Sequence, residues 1–175
     1  MIPGWLISIA TFPGIIVHEF GHQLFCKIFG VQVHRVCYFR FGNPAGYVVH
    51  EIPDSVYHHI WIGIGPFIVN SVIGALIALP ATAPSLQLHY GKKLDYILIW
   101  LGVSIAMHSF PSIGDAKGIW NALWSRKAPI LARLVGTPIV VIIYLGALGS
   151  VFWLDLVYGI GVALLIPKAV VAILA

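Results

Sequence analysis

Five long apolar runs determine what this chain of 175 residues can fold into. A bilayer core of about 30 Å is crossed by roughly 20 helical residues, and each run comes close to that length. With 59% hydrophobic and only 9% charged residues, the chain is too apolar for a soluble domain. We therefore predict an all-α polytopic membrane protein of about five transmembrane helices, forming one domain over residues 1–175. The runs are Ile2 to about Ile28, Ile60 to Leu79, Tyr96 to about Ile113, Pro129 to Leu154 and Leu156 to Ala175.

The segment from Val31 to His50 has a different pattern. β-Branched and aromatic residues precede the turn-forming stretch Gly42 to Gly46, and Tyr47 to Val49 follow it, which is the pattern of a β-hairpin. Arg35 and Arg40 make this segment a poor spanning helix. We expect a small membrane-associated β-hairpin after the first helix, packed against protein so that its backbone groups are satisfied.

The net charge of +4 is dispersed over short segments between the apolar runs. No clustered basic face is present, so we expect no nucleic-acid partner. Short loops rich in lysine and arginine stay in the cytoplasm. The count therefore predicts a multi-pass protein of the cell membrane with its N-terminus outside. The cations are Lys27, Arg35 and Arg40 after the first helix, Lys92 and Lys93 before the third, and Lys117, Arg126, Lys127 and Arg133 after the third.

The first apolar run contains the sequence His18-Glu-Phe-Gly-His22, an H-E-x-x-H motif. Residues i and i+4 share one face of a helix, so both imidazoles can converge on one metal ion, while Glu19 is rotated towards the adjoining space. A catalytic zinc site needs one further protein ligand and lowers the pKa of a water molecule to about 7. Glu19 is then placed to act as the general base.

An alternative interpretation makes these three residues polar groups that face a water-filled cavity or a neighbouring helix. In hydrocarbon, however, an ionisable residue is costly and usually marks a functional site. Glu19 between two histidines at ligand spacing therefore favours a metal site over simple packing.

Asp115 is the leading candidate for the third ligand, because it lies at the end of the third apolar run. Pro111 and Gly114 in the preceding segment break the helix and can direct a side chain inward. The ordinary alternative makes Asp115 the N-cap of a helix from Ala116 towards Trp124.

Four other polar residues are weaker candidates. His108 is predicted to donate a hydrogen bond to the developing oxyanion or to a ligand, whereas His58 and His59 resemble an interfacial helix start. Asn70, deep in the second run after Gly65-Pro66, offers both a donor and an acceptor. It would either hold the substrate backbone or oxyanion, or join helices to one another.

Together these motifs resemble the site-2 protease family of intramembrane zinc metalloproteases. His18-Glu-Phe-Gly-His22 is similar to the family's zinc motif, and Gly46-Tyr47-Val48 to its membrane-associated β-element. Gly65-Pro66 followed by Asn70 resembles its glycine-proline-asparagine motif, and Pro111 to Asp115 the segment that ends in its aspartate ligand. The resemblance covers about residues 12–118.

The resemblance implies an intramembrane endopeptidase with one Zn²⁺ per chain, bound by His18, His22 and Asp115. It implies a catalytic core over about residues 1–125, with residues 129–175 as an accessory helical hairpin joined near Asp155. The expected substrate is a single transmembrane segment of another protein, which enters laterally, unwinds and is cleaved towards the cytoplasmic side.

The chain departs from the family pattern in three places. His108 stands near the position of a usual asparagine, and Gly114-Asp115-Ala116 replaces the usual Leu-Asp-Gly. Many members carry a PDZ domain between the second and third core helices, where this chain has only about fifteen residues, near Ala81 to Asp95. The resemblance is therefore to a compact member without a PDZ domain.

Two other functions fit parts of the pattern. A non-catalytic zinc-binding membrane sensor or scaffold would use the same ligands, but it gives no role to Glu19. A metal transporter would need a polar path through the last two helices. Polar residues are sparse there and include Thr137, Tyr144, Ser150, Tyr158 and Lys168.

Overall fold

The computed structural model describes residues 4–82, 91–125 and 128–174, and the fold there is mostly helical with one antiparallel β-hairpin. Helical elements alternate with short turns along the chain. The helices are α1 Gly4–Ala10, α2 Phe12–Ile28, α3 Val56–Thr82, α4 Lys93–Met107, α5 Ile113–Leu123, α6 Ile130–Gly149, α7 Leu154–Ile160 and α8 Ile166–Leu174, and the strands are β1 Val33–Cys37 and β2 Tyr47–His50.

Three stretches of the described chain are long and apolar enough to cross a membrane, which confirms the prediction of apolar helices of membrane-spanning length. They are Val56–Thr82, Ile130–Phe152 and Leu154–Ile173, and they correspond to the second, fourth and fifth apolar runs. Helices α2 and α4 have 17 and 15 residues and fall short of the roughly 20 that span a bilayer. For the first and third runs, spanning therefore stays a prediction.

The first apolar run is not one helix but two, because the chain breaks at Thr11 between α1 and α2. Pro13 lies in the first turn of α2, where its missing N–H costs nothing. If α1 and α2 formed one continuous helix, the Pro13 ring would collide with the carbonyl of residue 9. The Thr11 hydroxyl donates to the Ile7 carbonyl oxygen at 2.7 Å and closes the end of α1.

The third run also ends early, since α4 stops at Met107 and not near Ile113. Pro111 cannot continue a helix, because its ring would clash with the Met107 carbonyl. The result is a turn over residues 108–112, after which α5 starts at Ile113. This turn is the segment from which the candidate site is built.

The fifth run is nearly continuous from Leu154 to the end of α8, with a π-helical segment Gly161–Leu165 inside it. Pro167 leaves the Ala163 carbonyl without its helical donor, and the wider π turn accommodates the ring. The Thr82 hydroxyl approaches that carbonyl oxygen at 3.4 Å. The tight joint to α6 lies at Trp153, which has a positive φ of 62°, so Asp155 belongs to α7.

Helix α3 is the centre of the bundle, and α2, α4 and α5 all pack against it. The apolar 18-residue segment of α3 is 44% buried, against 22% for the corresponding segment of each of the other two long apolar stretches. Small residues allow the closest approach: a Cβ on Gly74 would lie 2.8 Å from the Gly102 carbonyl oxygen. This is the packing expected of helices in membranes.

The β-hairpin is confirmed, with Cys37 opposite Tyr47, Val36 opposite Val48 and an irregularity at its open end near His34. Strand β1 ends at Cys37, so the following aromatic residues of the predicted strand belong to a long loop over residues 38–46. Both strands contact α2, and the loop returns to it at Gly46. The hairpin is therefore held against the helix that carries H-E-x-x-H.

Two of the cations used to predict the orientation, Arg126 and Lys127, lie outside the described residues. So does most of the connection between α3 and α4, residues 83–90. The orientation of the chain in the membrane therefore stays a prediction.

Gly14 tests the close packing of α2 on α4. A Cβ there would collide with the Ser104 carbonyl oxygen and lie 2.5 Å from Cδ2 of His108. We expect Gly14→Ala to destabilise the protein by about 1–3 kcal/mol, the cost of overpacking, measured by thermal unfolding in detergent.

Gly118→Ala is the matched control, since nothing lies within 4 Å of its Cβ position. It should be neutral or stabilising by up to about 1 kcal/mol, because alanine is the better helix former. Equal effects of the two would contradict the packing described.

Candidate metal centre

The structure brings together His18 and His22 of α2 and Asp115 of α5. One potential ligand atom from each of the three lies within 4.8 Å of those from the other two. The two imidazole rings meet edge to face, with centroids 5.0 Å apart. This group could hold a metal ion.

The donor set fits a tetrahedral ion such as zinc. Ligand atoms at about 2.0–2.2 Å from a tetrahedral ion lie roughly 3.4 Å from one another. Nε2 of His22 and Oδ1 of Asp115 are 3.4 Å apart. Two imidazole nitrogens and one carboxylate oxygen are ligands that zinc accepts, and three protein ligands leave a position open.

Backbone carbonyls fix how the two histidines point. Nδ1 of His18 lies 2.7 Å from the His108 carbonyl oxygen, and Nδ1 of His22 lies 2.9 Å from the Ile62 carbonyl oxygen. A carbonyl oxygen can only accept, so both Nδ1 atoms carry the proton. Each Nε2 is then an unprotonated donor atom for a metal, as in the usual support of metal-binding histidines.

Asp115 is held by its own helix terminus. Its Oδ2 accepts hydrogen bonds from the Ser112 backbone N–H and hydroxyl, both at 2.7 Å, and its N–H donates back to Ser112 Oγ. The N-cap of α5 is therefore Ser112, and Asp115 is the third helical residue of a capping box, which corrects the N-cap alternative. The second oxygen, Oδ1, is left for His22 and a metal ion.

Glu19 lines the same cavity as the three candidate ligands but does not belong to the group that could hold a metal. Its side chain is buried and lies against Gly46 of the hairpin loop. A Cβ at Gly46 would be 2.6 Å from Glu19 Cγ and 2.8 Å from Oε1. The glycine therefore leaves room for this carboxylate beside the ligands.

The cavity around these residues has a volume of about 510 Å³ and is walled by parts of the chain far apart in sequence. The hairpin loop and β2 form one side, and the turn after α4 forms another. Three residues around the joint of α6 and α7, Ala147, Ser150 and Asp155, complete it. Sequence reasoning assigned them only to scaffold, although a carboxylate beside two apolar runs was a signal.

Asn70 lies outside the cavity lining and is fully buried. Its Nδ2 is 3.0 Å from the Gly14 and Ile105 carbonyl oxygens and 3.3 Å from that of His108. These contacts join α2, α3 and α4, which favours the interhelical role over direct contact with substrate. Through the His108 carbonyl, Asn70 also supports the oxygen that orients His18.

His108 lines the cavity with its side chain, but Nε2 lies 2.8 Å from the Thr11 hydroxyl. That hydroxyl already donates to Ile7, so it accepts from Nε2–H of His108. Neutral His108 then offers only an acceptor, Nδ1, to the cavity, which disfavours its predicted donation to an oxyanion. Its clearest contribution is its backbone carbonyl.

The two remaining histidine candidates do not join the site. His58 stacks on Phe29 with ring centroids 4.5 Å apart, and His59 lines a separate cavity at the start of α3. Neither belongs to the metal-binding group found among the described residues.

A polar contact from α7 was also missed from the sequence. The Tyr158 hydroxyl lies 2.7 Å from Ser71 Oγ, which is 3.2 Å from Ser109 Oγ in the turn after α4. The Tyr158 ring packs against Phe110 of the same turn, with centroids 5.0 Å apart. The supposed accessory helices thus brace the segment that leads to Asp115.

Comparison with known proteins gives no match for this chain, whether to a protein-family model, to a curated protein or to a solved structure. The resemblance to site-2 proteases therefore depends on the motif residues alone.

The metal centre predicts a defined stoichiometry. The purified wild-type chain should contain about one zinc per chain by elemental analysis, lost in His22→Ala and weakened in Asp115→Ala, because each variant removes one ligand. His34→Ala, a histidine half exposed on β1, is the control and should keep its zinc. A folded wild type with no stoichiometric zinc, purified without chelator, would contradict the centre.

Ser112 gives a second prediction. In Ser112→Ala the carboxylate of Asp115 loses one of its two donors and α5 loses its cap. We expect about 1 kcal/mol of lost stability and about tenfold weaker metal binding, measured by chelator competition. Ser8 lines the cavity and, within the described part of the chain, donates only to the Gly4 carbonyl oxygen. Ser8→Ala is the control and should leave the metal affinity unchanged. An unchanged affinity in Ser112→Ala would mean that the backbone N–H alone orients Asp115.

Proposed function

We propose that this chain is an intramembrane zinc metalloendopeptidase that hydrolyses a peptide bond in or near a transmembrane segment of another protein. The observation that carries the proposal is the cavity in which Glu19 lies beside His18, His22 and Asp115. A metal-binding group alone fits many functions. A carboxylate next to that group, in a cavity large enough for a peptide segment, fits hydrolysis.

His18, His22 and Asp115 would hold the zinc ion. When bound, zinc supplies a Lewis acid that polarises a peptide carbonyl and makes a water molecule acidic near neutral pH. Glu19 accepts a proton from that water while the water oxygen bonds to the carbonyl carbon of the peptide. Glu19 then gives the proton to the amide nitrogen, the C–N bond breaks, and the products are a carboxylic acid and an amine.

The hairpin supports a substrate bound in extended form. Tyr47, Val48 and His50 of β2 line the cavity, and the sheet has only two strands, so β2 has an edge that β1 does not pair. A peptide bond inside a helix is hidden by the helix's own hydrogen bonds. A substrate segment that unwinds and pairs with this edge presents its carbonyl to the site instead.

The membrane setting agrees with the substrate class. Helix α3, which supports α2 and α5, is a candidate membrane span. Ala147 and Asp155, which lie on the other two candidate spans, line the cavity itself. We propose a multi-pass cell-membrane protein with its N-terminus outside and its active site towards the cytoplasm, on the distribution of lysine and arginine.

A non-catalytic zinc sensor or scaffold is the second candidate. It would need the same three ligands, and nothing in the geometry of His18, His22 and Asp115 separates it from an enzyme. Glu19 does separate them, because its carboxylate stands outside the ligand group and a sensor has no use for it.

A metal transporter is less well supported. Several polar residues in the last helices already have hydrogen-bond partners: Ser150 donates to the Gly146 carbonyl, the Tyr158 hydroxyl contacts Ser71, and Arg133 donates to the Leu123 and Ser125 carbonyl oxygens. They do not form a chain of free ligands leading away from the site.

Glu19→Gln separates the two leading functions. We expect this variant to bind zinc like wild type but to lose hydrolysis by about 10²- to 10⁴-fold, the usual contribution of general acid–base catalysis. The assay reconstitutes each protein in vesicles with a mixture of single-span membrane proteins and identifies new chain termini by mass spectrometry. Cleavage by wild type that persists in Glu19→Gln would rule out Glu19 as the base.

Proline on β2 tests the substrate pairing. Neighbouring residues of a strand direct their N–H groups to opposite edges, so either Val48→Pro or Val49→Pro removes an N–H from the free edge. We expect that variant to keep its zinc and thermal stability but to lose most of its cleavage in the same vesicle assay. Val33→Pro, at the first position of β1 where proline is tolerated, is the control. Full cleavage by both β2 variants would refute pairing.

A further inference from the structure

Pro66 lies inside α3, which continues through it without a break but lacks one backbone hydrogen bond there. In a helix without proline the N–H of residue 66 would donate to the carbonyl of residue 62. Proline has no N–H, and its ring pushes against that same carbonyl. The Ile62 carbonyl oxygen therefore needs another donor in a bundle where water is scarce.

The donor is His22. Its Nδ1 lies 2.9 Å from the Ile62 carbonyl oxygen, and both groups are buried. In the neutral imidazole this hydrogen bond places the proton on Nδ1 and leaves Nε2, which lies 3.4 Å from Asp115 Oδ1, to bind a metal. The helical defect thus creates the acceptor that orients a candidate ligand.

Helix α2 docks on α3 at the same point. A Cβ at Gly21 would lie 2.8 Å from Pro66 Cα and 3.1 Å from its nitrogen, so the backbone of α2 touches the proline itself. Gly21 immediately precedes His22, which brings the imidazole alongside the last turn before the proline. The other proline inside this helix, Pro80, is one of the exposed residues near its end and does not line the cavity.

We propose that Pro66 is a positioning residue of the metal centre, acting by freeing the Ile62 carbonyl to fix the tautomer and direction of His22. The inference rests on the metal centre of the proposed function. It assigns a role in the site to a residue that touches neither metal nor substrate.

The test compares Pro66→Ala with Pro80→Ala in the full chain. In Pro66→Ala the restored N–H competes with His22 for the Ile62 carbonyl. We expect zinc affinity, measured by chelator competition, to fall about tenfold or more, and the visible spectrum of the cobalt-substituted protein to change. Thermal stability of the metal-free protein should be equal to or above that of wild type, because alanine replaces proline in a helix. Pro80→Ala should bind zinc like wild type.

Lower zinc affinity together with equal or higher thermal stability distinguishes the proposal from a purely structural role of Pro66. A proline that matters only for helix shape would alter stability without altering the cobalt spectrum, and unchanged zinc affinity in a folded Pro66→Ala would overturn the proposal. If Pro66→Ala does not fold, Pro66→Gly restores the same N–H without a side chain and is judged by the same criteria. Wild type that binds zinc but cleaves nothing would refute the protease and leave this inference standing, whereas wild type that binds neither zinc nor cobalt would refute both.

Discussion

Two backbone carbonyl oxygens, those of Ile62 and His108, link the membrane fold to the candidate site. The first belongs to the turn of α3 before Pro66, which removes its helical donor, and the second lies at the end of α4. In a bilayer such a carbonyl must find a donor within the protein. Here the donors are the Nδ1 atoms of His22 and His18. The same two hydrogen bonds therefore satisfy the backbone carbonyls and orient the histidine side chains. The proline and the helix end that leave these carbonyls without a helical donor are part of the site.

The features that could be predicted were those encoded over a few neighbouring residues. The i, i+4 spacing places His18 and His22 on one face of any helix, and the alternation around Gly46 predicts a hairpin in any context. Asp115 was found because a proline-containing break precedes it. The structure confirms membrane-length apolar helices, the hairpin and the grouping of the three residues. Zinc as the ion and hydrolysis as the reaction remain proposals, since they depend on chemistry beyond the arrangement of side chains.

The features that were missed depend on contacts between distant segments. The break around Pro111 was predicted, but hydropathy placed the end of the third run near Ile113, whereas α4 ends at Met107. Asn70 could equally have faced a substrate, and only the approach of α2 and α4 shows that three carbonyls surround its amide. No local sequence pattern predicts the part of the cavity wall that α6 and α7 contribute. It depends on the packing of Tyr158 and its neighbours against the turn after α4.

The separation of the ligands along the chain has a consequence for biogenesis. His18 and His22 lie on α2, whereas Asp115 lies in the first turn of α5, which follows α3 and α4 along the chain. Chains are synthesised from the N-terminus, so the growing protein carries the two histidines while the helix with the carboxylate has still to be made. The group that could hold a metal ion is thus completed only after α3 and α4 are in place. A chain arrested before α5 would carry H-E-x-x-H without the third member of that group.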